Sequence, residues 1–251
     1  PTATQFARNA MFAGLMPSEI EKLHPDLWVN EDEDDRKNDF EAELLQKQLD
    51  RMGIKSSMFY DKIYNVEKSQ KLLNDVNEIM HNQLSVLIIN FVDMLSHART
   101  EMQMIRELAS DEKAYRSITQ SWFEHSTLFE LMKILATKKV KVIITTDHGT
   151  IRVTNPIKVI GDKNISSNLR YKQGKNLSYN PRDVYEIKNP QTVHLPRINV
   201  STSYIFATNE DFFAYPNNYN YYVSYYKNTF QHGGISMDEM MIPLVTLTPK
   251  S

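Results

Sequence analysis

The sequence predicts an α/β fold, a mainly parallel central sheet with helices on both faces. Two apolar, β-branched runs, residues 84–92 and 140–146, are too short for buried helices and suit strands covered on both faces. Amphipathic helical patterns alternate with them, and that alternation builds parallel sheets whose ligands bind beyond the carboxyl ends of the strands. Each run leads into an aspartate, Asp93 and Asp147.

The opening segment, residues 1–17, reads as a helix. Phe6, Ala7, Ala10, Met11 and Leu15 recur at helical spacing, and Gly14 followed by Pro17 closes it. Thr2 and Thr4 then stand at the helix start, where unpaired N–H groups and the dipole favour an anion. Thr4 is read as a hydroxyl nucleophile, and Arg8, one turn on, as a guanidinium for Thr4 or a phosphoryl oxygen. The plainer alternative is a capping threonine and a solvated arginine.

Ser18 with Glu21, and Asn38 with Glu41, read as capping boxes of two further helices, the second carrying Leu44, Leu45 and Leu49 up to Gly53. The acidic run at 31–35 lacks the glycine and terminal glutamate of a calcium loop and reads as solvated. A strand at 57–63 and a helix at 66–82 lead to the first apolar run. Helices near 101–109 and 112–137 precede the second, which ends at Asp147-His148-Gly149.

From about 151 to 230 the pattern weakens into an expected insertion bordering the site. The excess there of Arg152, Lys158, Lys163, Arg170, Lys172, Lys175, Arg182 and Lys188 over Asp162, Asp183 and Glu186 suits a solvated surface or a phosphate-lined mouth. Residues 204–207 read as a strand, and the tyrosines at 219–226 as strand formers or base-stacking groups. His232 sits on a glycine-rich turn before a helix capped by Ser236 and Glu239, and a strand at 242–247 closes the chain.

Composition narrows the function. A chain of 251 residues, 41% hydrophobic, can bury one large core and is expected to form one domain. With a net charge of −2 it offers no overall basic field for duplex DNA or an anionic membrane, so a phosphate-bearing substrate needs a local site. The absence of cysteine removes disulfides, thiolate metal sites and cysteine nucleophiles together. No apolar run reaches membrane-spanning length and none resembles a signal peptide, so the expected location is cytoplasmic. The chain opens on its most chemical-looking motif without a methionine, and further sequence is expected upstream.

Three places offer metal ligands. Asp93 and His97 are one helical turn apart, Asp147 and His148 are adjacent, and His232 lies beside two glycines that admit close backbone approach. With Thr4 they make a candidate site for metal-assisted chemistry on phosphorus.

The ordered set Pro-Thr-x-Thr, Gly-Leu-x-Pro, Asp-x3-His, Asp-His-Gly and His-Gly-Gly-x-Ser-x-x-Glu resembles the alkaline phosphatase superfamily, and within it the PglZ-domain branch. The first ten residues resemble the C-terminal output domain of PorX-type response regulators. The resemblance implies an alkaline phosphatase-like fold whose first strand is missing from this chain, together with its aspartate ligand. It implies two Zn2+ ions, with Mn2+ as alternative: Asp93, His97 and His232 on one, and Asp147, His148 and Thr4 on the other. It further implies phosphodiester hydrolysis on nucleotides or short oligonucleotides through a phosphothreonine. An upstream receiver domain, a sensor kinase and regulation of type IX secretion are the implied context, with a homodimer left open. The competing expectations are a metal-stabilised signalling module with vestigial catalysis, and a phosphomonoesterase or phosphomutase.

Overall fold

The structure is a computed structural model and describes residues 1–30, 37–161 and 166–249. The acidic run at 31–35, Asp162 and Lys163 lie outside the described residues. The chain folds as two compact units, Pro1–Gly53 with Thr146–Ile242, and Ile54–Thr145 with Pro243–Ser251. No helix among the described residues is long and apolar enough to cross a membrane.

In the first unit the opening helix spans Thr4–Ala13 and ends on Gly14, whose φ of 58° lets its N–H reach the Ala10 carbonyl at 2.8 Å. Its buried face is Gln5, Phe6, Asn9, Phe12 and Ala13, whereas Met11, expected inside, is exposed. Two polar residues displace it, with backbone acceptors for their amide N–H groups: Gln5 donates to the Val29 carbonyl, and Asn9 to that of Lys37 at 2.9 Å. The next helix, Pro17–Leu23, starts two residues earlier than a helix that Ser18 could cap, with Met16 at the N-cap, and Glu19 accepts the Met16 N–H at 2.8 Å.

The helix Glu41–Arg51 packs on the opening helix, and Arg51 donates to the Ala13 carbonyl at 2.6 Å. The expected Asn38/Glu41 capping box does not form. Asn38 donates to the Thr4 carbonyl and to Asn9, and the Glu41 carboxylate is bonded to Arg8.

Residues 151–230 carry much of this unit's core. Strands Tyr171–Gly174, Ser203–Ala207 and Val184–Ile187 form an antiparallel sheet with Ser203–Ala207 in the middle. Asn155–Lys158 runs parallel to Asp211–Ala214, and Ile151–Arg152 pairs with Phe230–Gln231. Phe6 meets Tyr171 edge-on at 5.7 Å, so the opening helix is pinned to the three-stranded sheet by aromatic burial. The tyrosines at 219–226 form a helix, Tyr219–Tyr226, not a strand; Tyr219, Val223 and Tyr226 pack on the core, while Tyr221 and Tyr222 are exposed.

In the second unit, Met58–Ile63 and Leu84–Ile89 pair in parallel across the helices Val66–Asn74 and Val76–His81. Their apolar faces enclose Ile63, Leu72, Val76, Ile79 and Leu131. The single helices expected at 66–82 and 112–137 are each broken in two, by Asp75 and by His125-Ser126, with Ser126 capping Thr127–Ala136. The second apolar run forms Val142–Thr145, antiparallel to Leu244–Leu247.

A single central parallel sheet is not seen among the described residues; the strands form small sheets, of which two pairs are parallel. Strand Leu84–Ile89 is half-buried, and Ile143, Ile144, Leu244 and Val245 are exposed, so neither run is the strand covered on both faces that its composition suggests. The first run also stops sooner than expected. Helix Phe91–Glu101 begins within it and takes in Asp93, which therefore lies in the first turn of a helix.

Candidate functional site

Thr4 is the first helical residue, not its cap. Ala3 holds the N-cap position with extended backbone and has no side chain to cap with. The Thr4 hydroxyl is therefore released from capping, and its Oγ1 lies 3.4 Å from His148 Nε2. That decides against the capping alternative.

His148 and His232 stack their imidazoles at 3.8 Å with 6° between planes. His148 Nδ1 is 3.0 Å from the Gly149 carbonyl, and His232 Nδ1 is 3.1 Å from the Thr2 carbonyl. A carbonyl only accepts, so each Nδ1 carries a proton, the tautomer that places the lone pair of an uncharged ring on Nε2. This is the tautomer a metal requires when the second nitrogen is the orienting one. Asp147 Oδ2 lies 3.8 Å from His148 Nε2, is buried, and accepts no hydrogen bond among the described residues. Such an orphaned carboxylate oxygen is costly unless a cation satisfies it. Two imidazoles and, beside one of them, an unpartnered carboxylate oxygen have the donor chemistry that a divalent metal takes.

The two histidine loops meet at Glu239. Its main-chain carbonyl accepts the Gly149 N–H at 2.7 Å, and its carboxylate accepts the Gly234 N–H at 2.7 Å. Ser236 Oγ donates to the same carboxylate at 2.6 Å, and Arg170 pairs with it at 2.9 Å, both partners fully buried. Burial pushes the Glu239 carboxyl up, but the bonds from Arg170, Ser236 and Gly234 outweigh it and hold the group below its ordinary value.

Glycine is required on both loops. A Cβ on Gly149 would fall 2.1 Å from the Asp238 carbonyl oxygen, and one on Gly233, at φ 113°, would fall 2.3 Å from Asn168 Nδ2. Asn168 in turn donates to the His232 carbonyl at 3.1 Å.

Arg8, expected to serve Thr4 or a phosphoryl oxygen, is also paired within the chain. Its Nε bonds Glu41 Oε1 at 2.5 Å, with the Glu41 side chain fully buried, so the guanidinium neutralises an interior carboxylate. Arg170 and Lys172, expected on a solvated or phosphate-lined surface, are interior. Arg170 is committed to Glu239, and Lys172 donates to the Ser166 carbonyl at 2.7 Å.

In the second unit, Asp93 and His97 share one face of helix Phe91–Glu101, with His97 Nε2 3.6 Å from Asp93 Oδ1. Tyr115 braces that helix by donating to the Val92 carbonyl at 2.8 Å, and burial pushes its phenol up.

The sequence pattern revealed Glu239 only as a capping residue, and gave Thr2 no task apart from that of Thr4. Asn168 and Arg170 carried no signal, because their work is to hold loop backbone and a buried carboxylate, which no local spacing encodes.

A hydroxyl at a helix start, an imidazole pair and a buried carboxylate thus belong to one compact unit. The chain belongs to the family of the BREX system PglZ alkaline phosphatase-like domain, whose model matches residues 1–247. Among curated proteins, none matches the chain. Alkaline phosphatase-like domains bind metal ions.

Proposed function

We propose that this chain is a metal-dependent phosphodiesterase with Thr4 as its nucleophile, acting on nucleotide or short oligonucleotide diesters. The observation that carries this reading is the Thr4 hydroxyl, released from capping and 3.4 Å from His148 Nε2. His148 and His232 would offer a metal their Nε2 lone pairs, and Asp147, beside His148, its unpartnered carboxylate oxygen. Imidazole nitrogen and carboxylate oxygen favour zinc, with manganese the competitor. The bound cation supplies Lewis acidity, lowering the pKa of a coordinated hydroxyl and offsetting charge on the phosphoryl oxygens.

The chain's own residues do the rest. The start of helix Thr4–Ala13 presents its positive dipole end to the phosphate. Thr4 Oγ1 bonds to phosphorus as the ester oxygen of the leaving alcohol departs and takes up a proton, and water then releases phosphate monoester from the threonine. The BREX system of the family's name is one cellular context for such an activity. An output domain paired with a receiver domain and sensor kinase, as the opening residues imply, is the other.

Thr4→Val tests the reading. It abolishes turnover of bis-p-nitrophenyl phosphate while metal content and cooperative unfolding persist; unchanged turnover removes Thr4 from the chemistry. Rates on p-nitrophenyl phosphate beside those on the diester separate a diesterase from a monoesterase.

A further inference from the structure

We infer that Thr2 is a positioning residue, which fixes the His232 imidazole and its loop against the segment that carries Thr4; this rests on the hydrolytic reading above and deepens it. Thr2 is 5% exposed and bonds three consecutive residues of the His-Gly-Gly turn. Its carbonyl accepts from His232 Nδ1 at 3.1 Å, and its hydroxyl accepts the Gly233 N–H at 2.9 Å. The same hydroxyl donates to the Gly234 carbonyl at 3.0 Å, where the Thr2 N–H also arrives at 3.0 Å. The hydroxyl therefore works in both directions at once, which a methyl in its place cannot do.

The consequence for the site is geometric. The Gly233 N–H, at a backbone angle of 113°, lies in no helix or strand, and Thr2 Oγ1 supplies its acceptor. Only Ala3, in extended conformation, separates Thr2 from Thr4. The nucleophile and the His232 ring are thus referred to one short stretch of backbone, and the carbonyl of that stretch sets which ring nitrogen keeps the lone pair. Partners that orient a metal-binding histidine in this way typically change metal affinity by about 10–100-fold when lost.

The test uses Thr2→Val, isosteric without the hydroxyl, and Thr2→Ser, which keeps it. In the metal-free protein, nitrogen NMR reads the His232 tautomer, and hydrogen exchange reads the Gly233 amide. Thr2→Val is expected to unfold cooperatively, to lose protection at Gly233, to mix the His232 tautomers, and to bind Zn2+ about 10–100-fold more weakly. Its kcat for bis-p-nitrophenyl phosphate falls more than its KM rises. Thr2→Ser returns each of these to the parent value.

A Thr2→Val protein with the parent tautomer and Zn2+ affinity overturns the inference. So does a Thr2→Ser protein with the tautomer disturbed, including where Thr2→Val does not fold. If the parent chain binds Zn2+ but turns over no diester while Thr2→Val still shifts the tautomer, the positioning role stands and the hydrolytic reading falls. Turnover lost by Thr4→Val with a tautomer unmoved by Thr2→Val does the reverse.

Discussion

His148 and His232 stack ring on ring at 3.8 Å, each with its Nδ1 held by a backbone carbonyl. Main-chain carbonyls hold both Nδ1 atoms, so the lone-pair position on each ring follows how the surrounding backbone is folded. That makes the imidazole pair sensitive to backbone substitutions at some distance from the rings.

Removing either ring should be felt in metal uptake before anything else. His148→Ala and His232→Ala are each expected to weaken Zn2+ binding, by at least the roughly 10–100-fold attached to losing an outer partner of such a ligand. Competition titration against a chromophoric chelator measures it, and parent-like affinity in both variants would remove the pair from metal binding.

The glycines of the two loops should not tolerate even a methyl group. Gly149→Ala drives its Cβ into the Asp238 carbonyl and Gly233→Ala drives its own into Asn168 at a strained φ. Each is expected to lower stability by about 1–3 kcal/mol and to weaken metal binding, since the displaced backbone carries His148 or His232 with it. Thermal unfolding and Zn2+ titration of the two variants check both effects.

Breaking the Arg170–Glu239 pair from one side leaves a buried charge alone. Arg170→Met is expected to cost about 3–5 kcal/mol in denaturant unfolding. The same carboxylate gives a pH signature. Its value in the folded chain lies below the ordinary 4.5, so its stabilisation is fully present above about that pH and is lost as pH falls through the lowered value. Unfolding scans on acidification should show this loss in the parent and not in Glu239→Gln.

Arg8 and Glu41 form a second interior pair, and here the test is additivity. Arg8→Met alone is expected to cost about 3–5 kcal/mol because the interior Glu41 carboxylate loses its guanidinium partner. Replacing both, Arg8→Met with Glu41→Leu, should recover most of that loss in the same unfolding assay, giving a coupling energy of the sign a structural pair requires.

Much of this was legible in the sequence where chemistry is local. The opening helix with its Gly14 stop, the Ser236/Glu239 cap and the strands at 57–63 and 204–207 appear as their patterns predict. The proximity of Thr4 to the Asp147-His148 loop also followed the motif order. What failed was long-range. Met11 is apolar yet exposed because Gln5 and Asn9 find backbone partners far along the chain. Arg170 and Lys172 read as surface cations because nothing beside them in sequence shows the groups that bury them. The run at 84–92 reads as one strand, yet helix Phe91–Glu101 begins inside it, because β-branched composition does not register where tertiary packing turns the chain.

Glu239 grips the loop behind His148 with its backbone and the loop behind His232 with its side chain. One residue thus acts as a yoke, and the two imidazoles cannot be retuned independently through it. An engineer wishing to open or narrow the gap between them for an ion of another radius would have to shift the short helix Met237–Met240 as a whole. Both rings would then follow in step.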